Sequence, residues 1–83
     1  MSTYEKKKID TEFKRFALQN FEKPARCRSL GQLHYYVSEL TKKISEFKNR
    51  FNYVPEKAFI LLSEYNQMLN SLVFKNYQEA YAY

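Results

Sequence analysis

Residues 30–51 hold the pattern that most narrows what this chain can become. Leu30, Leu33, Val37, Leu40, Ile44, Phe47 and Phe51 recur at intervals of 3-4-3-4-3-4, the spacing that gathers apolar side chains along one seam of an α-helix. On a strand, whose side chains alternate, the same residues would scatter over both faces. Ser29, followed three positions later by Gln32, supplies a capping-box start, so a helix is expected over about 30–51. Glu39 four before Lys43 and Glu46 four before Arg50 stand in the favourable order for helix-surface ion pairs.

A helix with an apolar seam must bury it, and the chain that follows supplies the means. After the link Asn52-Tyr53-Val54, Pro55 suits a first helical position and Glu56 complements the helix dipole, giving a helix over about 55–80. So short a link makes the two helices an antiparallel hairpin. A parallel coiled-coil dimer through the seam would instead bring Lys43 and Lys48 of opposite chains together, a like-charge clash. On the third helix, Ala58, Leu61, Leu62, Tyr65, Met68, Leu69, Leu72 and Val73 form one face, and Phe59, Phe74, Tyr77 and Tyr81 a second stripe beside it. Together they span far more than the roughly 100° of a one-sided surface helix. Helix 3 is therefore expected to touch helix 2 and one further neighbour, either helix 1 or a second copy of the chain.

A first helix is expected over about 4–22. Ile9, Phe13, Phe16, Ala17 and Asn20 share a narrow arc at 3.6 residues per turn, while Leu18 lies opposite and Lys7, Lys8, Lys14 and Arg15 lie off the stripe. Ser2 or Thr3 can cap it, and Pro24 bars its continuation. Its first six to eight residues are expected to fray, leaving Lys6, Lys7 and Lys8 as a flexible arm. Phe13, Phe16, Phe47, Phe51 and Phe59 are expected in the core. The whole is read as one all-α domain of 83 residues, a three-helix bundle built on the helix 2–helix 3 hairpin and paired as a dimer, because a chain this short has a thin core.

Composition closes other routes. One glycine and two prolines are too few turn formers for a hairpin-rich β fold. One cysteine makes no intramolecular disulfide, and one histidine completes no Cys/His zinc site. No apolar run is long enough to span a membrane, and no export signal opens the sequence, so the expected location is cytoplasmic. There is no glycine-rich phosphate loop, no Ser/His/Asp set and no paired metal carboxylates. The expectation is a protein without cofactor, metal or enzymatic activity.

The formal charge of +5 is unevenly placed. Residues 1–28 carry eight basic and four acidic side chains, residues 29–54 four and two, and residues 55–83 two and three. The stretch from Lys23 to Gly31 has two arginines, Arg26 and Arg28, and no acid, and it runs into the start of helix 2. First-turn N–H groups attract anions, arginine binds phosphate bidentately, and Gly31 would let a ligand approach. Cys27, between those arginines, is expected to have a lowered thiol pKa, although a packed apolar side chain is the commoner role for a free cysteine.

Two functions from different classes follow. The first is a protein–protein interaction or regulatory module, a homodimer, using Phe59, Phe74, Tyr77 and Tyr81 of helix 3, since tyrosine and phenylalanine are enriched at interfaces. The alternative is a basic nucleic-acid-binding accessory protein, with Lys14, Arg15, Lys23, Arg26, Arg28 and Gly31 meeting phosphates.

Overall fold

The computed structural model describes the backbone of residues 1–80 and the side chains of residues 1–75. The described chain forms three α-helices and one short 3-10 turn: α1 (Thr3–Asn20), the turn Pro24–Arg26, α2 (Leu30–Phe51) and α3 (Glu56–Ala80). No strand occurs among the described residues.

Each helix end has a chemical cause. Ser2 caps α1 by accepting from the Glu5 N–H at 3.1 Å, so Lys6, Lys7 and Lys8 lie within the helix and form no flexible arm. At the other end α1 stops at Asn20, before the Pro24 stop. Phe21 turns extended and donates its N–H to the Ala17 carbonyl. Pro24 opens the 3-10 turn instead. Ser29 accepts from the Gln32 N–H at 3.3 Å. Only half of the capping box forms, because the Gln32 amide donates to the Tyr36 hydroxyl. Asn52 ends α2 in the left-handed region at φ 52°, with its N–H on the Lys48 carbonyl, a conformation asparagine tolerates better than most residues.

α2 and α3 pack together as an antiparallel hairpin. Leu33, Leu40 and Phe47 of the seam are buried against Ala58 and Tyr65 of α3. The small Ala58 lets the backbones approach, and each fully buried leucine contributes about 2 kcal/mol of transfer free energy.

α1 is attached differently. Its backbone stays farther from both partners, and aromatic rings fill the space between. Phe13 meets Phe47 edge-on at 6.0 Å, and Phe21 meets Tyr36 at 5.2 Å and Tyr65 at 6.1 Å. Two tyrosine hydroxyls fasten it, one at its middle and one just past its C-terminal end. Tyr53 donates to the Asp10 carboxylate at 2.9 Å, and Tyr65 donates to the Glu22 carbonyl. Both ties join residues 43 positions apart, so α1 runs parallel to α3 and antiparallel to α2. The assembly is elongated, 58 × 20 × 17 Å.

Phe59 departs from the expected core: it is 52% exposed. The α3 face that meets α2 is centred on Ala58 and Tyr65, and at 100° per residue Phe59 falls outside it.

Candidate functional site

Three surfaces remain once the core is closed. The first is a groove of about 440 Å³ between α1 and α3, lined by Ala17, Leu18, Phe21, Pro24, Ile60 and Leu61 and edged by Lys14, Lys23, Lys57, Glu22 and Glu64. It exists because the aromatic spacers hold α1 away from α3. Leu18, on the α1 arc opposite Ile9 and Phe13, is 74% exposed at its lip.

The second is the flank of the hairpin turned away from α1. Tyr36, Lys43 and Arg50 mark the α2 side that faces α1: Tyr36 meets Phe21, the Lys43 ammonium lies 4.5 Å from the Phe16 ring centre, and Arg50 pairs with Glu12. Across the buried seam, at 100° per residue, lie Leu30, Val37 and Ile44. On α3 the groove takes the Ile60–Glu64 side, so Phe59, Leu62, Leu69 and Val73 fall on the opposite one. Val37, Ile44, Leu62 and Leu69 are only half-buried, and Phe59 and Val73 are exposed. No described element covers this flank. Its polar residues on α3 are Asn66 and Asn70, without charge. Phe74 is also exposed, about 22 Å along the helix from Phe59 at 1.5 Å per residue. Tyr77 and Tyr81 lie outside the residues whose side chains are described.

The third is the outer face of α1. Tyr4, Lys7, Lys8, Thr11, Glu12, Arg15 and neighbouring Lys14 line depressions along it. Lys14 and Arg15 thus share a face with Lys7 and Lys8, whereas Arg26 and Arg28 lie beyond the end of α1 and Lys23 edges the groove.

The expected anion cradle at 23–31 takes a different form. Arg26 pairs with Glu22 at 3.7 Å. Gly31 has an ordinary helical conformation, and a Cβ there would meet only the Ser29 Oγ at 3.6 Å, so no close approach requires glycine. Cys27 is fully buried and donates its thiol to the Lys23 carbonyl. Burial, reinforced by the Glu22 charge, pushes its pKa up rather than down, because the thiolate would lose more solvation than two exposed arginines restore. Glu39 pairs with Lys42 rather than Lys43, since Lys43 lies against Phe16 and Phe47 and reaches Glu46.

Among the described residues no three of His, Cys, Asp and Glu gather where they could hold a metal ion. No described helix is long and apolar enough to cross a membrane. No family model matches the chain, and no curated protein or solved structure is significantly similar to it. Function therefore rests on the three surfaces alone.

Sequence reasoning missed the two tyrosine ties. Tyr53 stands in a link and Tyr65 on an apolar face, and neither position announces a hydroxyl partner 43 residues away.

Proposed function

We propose that this chain is a non-enzymatic interaction module that self-associates through the uncovered flank of its α2–α3 hairpin. The observation that carries this is the flank itself: α1 covers one side of the hairpin, and the other leaves Phe59 and Val73 exposed beside half-buried Val37, Ile44, Leu62 and Leu69. Contiguous apolar surface of this kind marks an interaction site. A second copy is the fitting occupant, because a two-fold contact sets a surface against itself, and this flank carries no charge on its α3 side and only Lys48 on its α2 side. At 22 residues in length and two helices in width, the flank offers about 650 Å² per chain, close to the roughly 800 Å² per partner of a standard interface.

Sedimentation equilibrium tests the proposal. Wild type should show about twice the 10.1 kDa chain mass at tens of micromolar. Phe59→Glu/Val73→Glu, both at exposed positions, should sediment as a helical monomer. A wild-type monomer at 100 μM, or a dimer unaffected by the double variant, would overturn it.

A further inference from the structure

Of the three acids on α1, the two that stand among its cations are engaged by other elements, and the third, Glu5, lies in the first turn. Asp10 accepts the Tyr53 hydroxyl, and Glu12 pairs with Arg50 of α2 at 3.6 Å. Among the described residues, Lys7, Lys8, Lys14 and Arg15 have no carboxylate within 4.0 Å. They stand as two adjacent pairs seven residues apart, about 10.5 Å along the axis, all exposed. Lys42, Lys43, Arg26 and Arg50 each have a carboxylate partner; Lys6, Arg28, Lys48 and Lys57 have none among the described residues either, but do not form such a repeated pair.

We propose that the outer face of α1 binds the phosphate backbone of duplex nucleic acid, with Lys7, Lys8, Lys14 and Arg15 as the contacts. This is independent of the self-association proposed above, which uses the opposite flank of the hairpin. Three features favour a polyphosphate over an acidic protein or a lipid surface. The centre of the face is Thr11, not the aromatic or aliphatic anchor on which protein interfaces depend. Its large apolar residues, Tyr4 and Leu18, stand only at its two ends, whereas an interfacial membrane helix presents a continuous apolar face. The cations form two short rows along one helix, Lys7 with Lys14 and Lys8 with Arg15, a repeat that suits a regularly charged polymer. With Tyr4 as the one aromatic ring on the face, little stacking is available for unpaired bases, and the interaction reads no sequence.

Fluorescence anisotropy with a labelled 20-base-pair duplex of mixed sequence tests this. Four phosphate contacts give a slope of log affinity against log salt of about −3.6, roughly a hundredfold loss between 50 and 200 mM salt. Lys7→Gln/Lys8→Gln/Lys14→Gln/Arg15→Gln should weaken binding at least thirtyfold at 50 mM salt. Arg26→Gln/Arg28→Gln/Lys42→Gln/Lys48→Gln, which removes the same formal charge elsewhere, should change it less than threefold. Circular dichroism would confirm that both variants keep their helices. Equal losses in the two variants would reduce the effect to net charge and overturn the proposal. So would undetectable binding at 50 mM salt, tighter binding of a single strand of the same length, or displacement of the duplex by equimolar polyglutamate.

Discussion

The hairpin and α1 are both helical and both packed, yet they are held by different forces. Between α2 and α3 the contact is a continuous run of buried side chains around Leu33, Leu40, Ala58 and Tyr65, and shape-matched packing dominates. Between α1 with its C-terminal flank and the hairpin the contact is a set of rings at 5.2–6.1 Å with two hydroxyl ties, one at mid-helix and one just past the helix end. The first arrangement is cooperative, since removing one leucine loosens its neighbours on both helices. The second is a strap fastened at points, and a strap can lift while the hairpin stays folded.

The sharpest way to break that contrast is to compare two large-to-small changes. Leu40→Ala and Phe13→Ala should each cost about 3 kcal/mol, and the difference lies in where the loss falls. Leu40→Ala should lower amide protection throughout α2 and α3. Phe13→Ala should strip protection from α1 at denaturant concentrations where α2 and α3 remain protected. Native-state hydrogen exchange reads this, and simultaneous opening of all three helices in Phe13→Ala would refute the strap description.

A smaller effect comes from the ties. Tyr65→Phe removes the hydroxyl donor to the Glu22 carbonyl and should destabilise by about 1–2 kcal/mol. The Tyr65 phenol is held above its ordinary 10.0 chiefly by burial, and Tyr53 is raised by its hydrogen bond to Asp10. Both groups bind their protons more tightly when folded, so their contribution is complete below about pH 10 and is lost as pH rises toward the folded values. Urea titrations from pH 7 to 11 should show wild type losing stability above pH 10 and Tyr65→Phe losing less. An unchanged alkaline slope in the variant would show that the Tyr65 phenol is not coupled to folding.

The smallest change should be a gain. Gly31→Ala places a methyl group in ordinary van der Waals contact with the Ser29 Oγ on a helical backbone and should add about 0.5–1 kcal/mol of stability, read from the urea midpoint. A loss would show that the start of α2 does need a glycine.

The hairpin was legible because its information is local. The seam from Leu30 to Phe51 declares its own period, and a four-residue link leaves the next helix no direction but back. The width of the apolar arc on α3 correctly implied two neighbours without saying where one of them would stop. What could not be read depends on partners distant in sequence. Lys14 and Arg15 were visible as off-stripe cations, but their lack of neutralising acids follows from Asp10 turning to Tyr53 and Glu12 to Arg50, contacts more than 35 residues long. Cys27 follows the same rule: its flanking arginines suggested a lowered thiol pKa, whereas its burial raises it and leaves the packed side chain that a free cysteine commonly is.

That burial also turns Cys27 into a timer. It is the chain's one thiol and lies wholly covered in the connector between α1 and α2. A reagent in solution reaches it only in the instants when the connector parts from the hairpin. The pace at which the untouched protein accepts an alkyl label therefore reports those partings, as their rate where labelling outpaces reclosing and as the share of time spent open where it does not.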